Sequence, residues 1–131
     1  IPSDFRDILL THKQREIELI RSSNKVLFED TDCLITKFFI DFLGDKENER
    51  NSALAEAISL FNEYDLVLFC EADVKFVQDG DRSPIIAAER EKYSNLIREI
   101  YVSHGYYPIS LSGNYTERYE KAVKLVEDML R

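Results

Sequence analysis

The chain has 131 residues, 44% hydrophobic and 32% charged, and 25 acidic side chains against 17 basic ones give it a formal charge of −8. That is the profile of one ordinary globular domain, which excludes a disordered or fibrous chain. The acidic excess and the lack of a dense basic stripe oppose nucleic-acid binding, though a few placed basic groups would still hold a small phosphate compound, and no run of about 18 apolar residues is present to span a membrane.

The first residues, Ile1-Pro2-Ser3-Asp4, contain no methionine and no apolar signal core, and read as a cut or unrecorded beginning. Ser3 is placed to cap a helix running to about residue 22, with Phe5, Ile8, Leu9, Ile17 and Ile20 at helical spacing. Residues 25–29 form a short apolar run that reads as a buried strand. A strongly apolar helix is expected over 34–43, stopped by Gly44, and residues 45–51 read as a solvated loop. Leu54, Ala57, Ile58 and Phe61 then share one face of a helix over 52–62. Residues 66–70 are the clearest buried strand, and a non-periodic stretch follows over 71–84. A helix is expected over 89–102 with Gly105 as terminator. A strand over 107–111 contains Pro108, which suggests a sheet edge. The last helix, 116–130, carries Tyr119, Val123, Val126 and Leu130 as its stripe.

Strands alternating with helices predict an α/β three-layer sandwich with a parallel sheet, in a single domain over 1–131 without repeat or linker. Cys33 and Cys70 each lie in an apolar segment and have no CxxC partner, so the expectation is two buried, reduced thiols in a cytoplasmic protein.

Ligands of open α/β sheets bind beyond the carboxyl ends of the strands, which selects three stretches. In Glu29-Asp30-Thr31-Asp32, carboxylates leave the sheet where they could hold magnesium or accept a proton from a hydroxyl; alternatively, Asp32 caps the next helix. The second stretch, Glu71 to Arg82, contains Gln78-Asp79-Gly80-Asp81-Arg82-Ser83, in which Gly80 permits a tight turn and the Arg82 fork suits phosphate oxygens, or else pairs with Asp79 or Asp81. Ser112-Gly113-Asn114-Tyr115 is a turn into a helix whose amides could meet an adenine edge or a phosphate, or simply connect strand to helix. His12 and His104 have no ligand pattern around them, and neither GxSxG nor HExxH occurs. The four glycines, Gly44, Gly80, Gly105 and Gly113, begin no GxxxxGK[ST], so no phosphate cradle is encoded in these residues.

The run from Val26 to Asp32, the strand over 66–70 and the run from Phe76 to Ser83 together resemble the nicotinamide-riboside kinase domain of the NadR type, a P-loop kinase. The resemblance extends to Thr36, Phe39 and a Tyr-x-x-Arg-Tyr pattern at Tyr115, Arg118 and Tyr119. It implies ATP-dependent phosphorylation of nicotinamide riboside, with ATP and Mg2+ as cofactors. Asp30 would then be the acidic group near magnesium and the reacting hydroxyl, with Asp32 facing the ribose or sharing the base role. Arg82 would be the lid arginine steadying charge on the moving phosphoryl. Thr36, Phe76 and Asp79 would contact the nucleoside, and Ser112, Gly113 and Tyr115 the nucleotide.

Three departures accompany the resemblance, one being a loop between Gly44 and Ser52 that is longer and more charged than the family implies. Asp81 puts a carboxylate beside Arg82, and the family's first strand and P-loop would lie upstream of Ile1. In that fold the first strand separates the strand near Val26 from the one near Leu66, so these residues alone would leave a gap in the sheet, or fill it by pairing with a second copy. The expectation is that the 131 residues alone are inactive and that a longer protein carries the activity. Competing expectations are another nucleoside or small-molecule P-loop kinase, or a non-catalytic partner-binding domain of the same fold.

Overall fold

The computed structural model describes residues 2–43, 48–72 and 89–131. They form two compact units, Ile1–Glu63 and Tyr64–Arg131.

The first unit is helical. Helix α1, Pro2–Ser22, begins one residue before the expected cap, so Ser3 lies inside its first turn; a proline at the start loses only an amide that has no intrahelical partner. Asp4 near its start and Arg21 near its end complement the helix dipole. Helix α2, Cys33–Leu43, buries Cys33, Leu34, Thr36, Phe38 and Ile40. Helix α3, Asn48–Ser59, starts four residues earlier than the apolar spacing suggested. Asn48 and Asn51, expected in a solvated loop, are buried on its inner face with Ala55, Ile58 and Ser59. The Asn48 side-chain nitrogen donates to the Ile40 carbonyl at 3.4 Å, while its buried Oδ1 has no hydrogen-bond partner among the described residues. Ala57 and Phe61 are exposed instead. Gly44 and residues 45–47 lie outside the described residues.

The core of this unit joins Leu9 of α1, Leu34, Phe38 and Ile40 of α2, and Ala55 and Ile58 of α3. A buried polar chain runs beside it. Lys13 Nζ donates to Glu16 Oε1 at 2.7 Å and to Asn62 Oδ1 at 2.9 Å, and Asn62 Nδ2 donates to Cys33 Sγ at 3.4 Å. On the outer side Asp41 accepts from Lys37 at 2.7 Å and from Ser52 at 2.8 Å, tying α2 to α3.

The second unit contains the sheet. Strand β1, Leu68–Cys70, pairs in parallel with β2, Ile109–Leu111, in the register Leu68↔Ile109, Phe69↔Ser110 and Cys70↔Leu111. Bonds from Ile109 N to the Val67 carbonyl and from Glu71 N to the Leu111 carbonyl, both 2.9 Å, lengthen the ladder at either end. The crossover includes α4, Arg90–Ser103. It stops as expected at Gly105, whose φ of 87° an L side chain rarely adopts. The Gly105 amide bonds the Val102 carbonyl at 3.1 Å and the Tyr106 amide bonds the Tyr101 carbonyl at 3.0 Å, a Schellman pair. Helix α5, Tyr115–Leu130, opens with a capping box in which Asn114 accepts from Glu117 N and Glu117 accepts from Asn114 N. Its inward residue is Arg118, whereas Tyr119 and Leu130 of the expected stripe are exposed.

The expected three-layer sandwich is not what the described residues form: they are mostly helical, with one two-stranded parallel sheet. Residues 25–29 are not in a strand, and Phe28 is 73% exposed. An apolar run supplies the side chains of a strand but not its ladder, and β1 and β2 form the only sheet among the described residues.

Candidate functional site

In the first unit the acidic stretch leads directly into α2. Asp32 is 4% exposed, and its Oδ1 accepts from the amides of Leu34 and Ile35, each at 3.0 Å. Helix capping, one of the two roles open to it, is therefore realised. The first helical turn is closed by Thr36, whose amide and hydroxyl both donate to the Asp32 carbonyl, at 3.1 and 3.2 Å. Thr36 is consequently buried and engaged with backbone. Asp30, two residues earlier, is exposed, with its carboxylate free of the capping duty. Behind the cap, burial pushes the Cys33 thiol up from its usual 9.0 to about 11, against the opposing hydrogen bond from Asn62.

In the second unit a cavity of ≈ 420 Å³ lies beyond the carboxyl ends of both strands, where the topology of a parallel sheet places ligands. Cys70, Glu71 and Ala72 form the β1 side and Leu111 the β2 side. Tyr115, Arg118, Tyr119 and Ala122 of α5 face them, with Arg90 from α4. Tyr115 and Tyr119, one helical turn apart, are both exposed at this cavity, and their rings offer flat apolar faces.

Polar groups hold the walls. Glu71 Oε1 accepts from Arg98 Nη2 and from Ser110 Oγ, each at 2.5 Å, and Arg98 also donates to Ser110 Oγ. The Arg98 guanidinium lies 4.8 Å from the centre of the Phe69 ring. Lys121 Nζ donates to the Ser110 carbonyl at 2.7 Å.

Among the residues expected from sequence, Asp30, Asp32 and Thr36 belong to the first unit, and Ser112, Gly113 and Tyr115 to the second. Tyr115 lines the cavity, and Gly113, with φ of 89°, makes the turn in front of it. Phe76, Asp79 and Arg82 lie outside the described residues. Glu71 opens the stretch over 71–82 that the strand-end rule selects, though without a role of its own, and Arg90 and Arg98 were not singled out by sequence. The signal available for the two arginines was their place two turns apart on one helix.

Among the described residues no group of three or more His, Cys, Asp or Glu side chains could hold a metal ion. Magnesium on a nucleotide keeps several waters and takes one or two carboxylates besides the phosphates, a donor set that the single exposed Asp30 fits. Nor is any described helix long and apolar enough to cross a membrane.

A model of the AAA domain family matches residues 2–118. The chain is also similar to the Trifunctional NAD biosynthesis/regulator protein NadR of Salmonella typhimurium and of Escherichia coli. Each is 29% identical over 129 residues, which is 98% of this chain and 30% of the relative, so the chain spans about a third of the length of these curated relatives. No solved structure matches it.

Proposed function

The chain belongs to the AAA domain family, and on that premise we propose that it is the nucleoside-binding and nucleotide-binding part of an NAD-related P-loop kinase. The reaction is transfer of the γ-phosphoryl group of ATP to the 5′-hydroxyl of nicotinamide riboside, giving nicotinamide mononucleotide and ADP. The observation that carries the reading is similarity over 98% of the chain to proteins named for NAD biosynthesis. The cavity beyond the two strand ends, with its exposed tyrosines, supports a place for a nucleotide base.

In this reading Asp30 is the exposed carboxylate that receives the hydroxyl proton or holds magnesium, which supplies charge neutralisation on the phosphate oxygens when bound. Asp32 fixes the start of α2 and so the backbone from which Asp30 projects. Thr36, Phe76 and Asp79 are assigned to the nucleoside, Arg82 to the transferring phosphoryl, and Ser112, Gly113 and Tyr115 to the nucleotide. These residues encode no GxxxxGK[ST], so the phosphate cradle is assigned to other residues of the protein that carries the domain. We place that protein in the cytoplasm.

The test is ATP-dependent conversion of nicotinamide riboside by the full-length protein, profiled against other nucleosides. Asp30→Asn and Arg82→Ala are each expected to lower kcat at least about tenfold. No turnover of nicotinamide riboside, or faster turnover of another nucleoside, overturns the substrate; wild-type rates in both variants overturn the residues.

A further inference from the structure

Three guanidinium groups converge on the two residues at which the chain leaves β1. Arg98 Nη2 donates to the Glu71 carboxylate at 2.5 Å, Arg118 Nη2 to the Glu71 carbonyl at 2.9 Å, and Arg90 Nη2 to the Ala72 carbonyl at 3.3 Å. Arg118 does more than the other two, because its Nε also donates to the Gly113 carbonyl at 2.9 Å. One rigid fork thus joins the exit of β1 to the turn after β2, across residues 42 apart in sequence, since 113 minus 71 is 42.

Two observations argue that this bridge serves the cavity. First, Arg118 is 9% exposed, and a buried guanidinium is tolerated only when its donors are used, so the two carbonyls fix where it sits. Second, α5 does not need it to begin: the capping box of Asn114 and Glu117 already satisfies the helix start. The side chain is therefore spent on the distance between two walls. One wall carries Glu71, the other leads from Gly113 into Tyr115, and both line or border the same cavity.

We infer that Arg118 is a positioning residue, which sets the width of the slot between the Glu71 exit and the 113–115 turn and thereby the affinity for the nucleotide base. This rests on the nucleotide-binding reading of the cavity. Arg118 acts through the backbone it holds, so its loss weakens ATP without touching the nucleoside. Lysine does not replace it, since a single ammonium lacks the planar fork that reaches two carbonyls at once.

The experiment compares Arg118→Gln and Arg118→Lys with wild type in the full-length protein. It reads ATP binding by calorimetry, KM for ATP and for nicotinamide riboside, and amide hydrogen exchange at Glu71 and over 112–115. Expected for Arg118→Gln are about tenfold weaker ATP binding and a matching rise in KM for ATP, with KM for nicotinamide riboside within about twofold. Exchange is expected to rise at Glu71 and over 112–115 together, and Arg118→Lys to recover no more than about threefold of the ATP affinity. Unchanged ATP binding, or an equal loss for both substrates with exchange raised throughout the chain, overturns the inference. If the wild-type protein binds no ATP, the functional reading fails by itself. Exchange then decides the role of Arg118: a coupled rise at both stretches upholds the bridge, and a rise confined to α5 overturns it.

Discussion

Replacing Asp32 separates the two jobs that a carboxylate at that position could do. Its Oδ1 takes both the Leu34 and Ile35 amides at 3.0 Å, and the site is buried, so water cannot substitute when the side chain is cut back. A lost cap at an exposed helix costs about 1 kcal/mol. Leaving buried amides without an acceptor adds desolvation of about 1–3 kcal/mol, partly the same loss counted from the other side. Asp32→Ala should therefore destabilise the fold by about 2–3 kcal/mol in urea unfolding followed by circular dichroism. Asp32→Asn keeps a carbonyl oxygen in the same place and should stay within about 0.5 kcal/mol of wild type. The pair also tests chemistry: if Asp32 shares the base role, Asp32→Asn lowers kcat while stability holds, and if it only caps, kcat holds too. Asp32→Ala at wild-type stability would refute the reasoning, because the two amides would then have found another acceptor at no cost.

Further outcomes follow from other groups. Because burial holds Cys33 protonated to about 11 against its usual 9.0, the unfolded chain releases that proton first as the pH rises. Stability attributable to Cys33 is thus complete below pH 9 and lost towards pH 11, on the order of 3 kcal/mol in total, measured as the difference between wild type and Cys33→Ala across that window. Of the two thiols expected to be buried only Cys33 is; Cys70, the last residue of β1, is exposed, so at neutral pH a thiol reagent should modify Cys70 rapidly and Cys33 only on unfolding. Gly105→Ala should cost about 1 kcal/mol in the same urea assay from backbone strain alone, since a Cβ there meets nothing within 4 Å. The 131 residues by themselves should show no ATP-dependent turnover of nicotinamide riboside, and a measured rate would remove the need for a separate phosphate cradle.

The helices and the two strands of the second unit were legible because each carried local punctuation: Gly105 after α4, Asn114 before α5, an unbroken apolar run at β1. The misreadings share one cause. Apolar spacing marks the inside only where apolar groups fill it: Asn48, Asn51 and Arg118 are buried as well, Arg118 with its guanidinium on two backbone carbonyls and Asn48 with its amide nitrogen on one, which no hydrophobic pattern records. Tyr119 and Phe61 are apolar in pattern and exposed in fact. Residues 25–29 failed as a strand for a different reason: pairing is a property of two segments, and a single segment's composition cannot supply the second. For the site, the stretches after strand ends were found by topology alone, while the arginine convergence on Glu71 and Ala72 depends on how α4 and α5 pack, and this was out of reach of spacing arguments.

The pairing of Leu68 with Ile109 has a consequence for the order of assembly. Its partners are 41 residues apart, since 109 minus 68 is 41. Closing a loop of that length costs about 3 kcal/mol of chain entropy before the first ladder bond forms. Helices α2 and α3 meet across a short connection and bear no such barrier. The parallel pair, and with it the cavity at its end, is accordingly expected to form late in folding. Pulsed amide labelling should find Ile109 and Glu71 protected after the interior of α2.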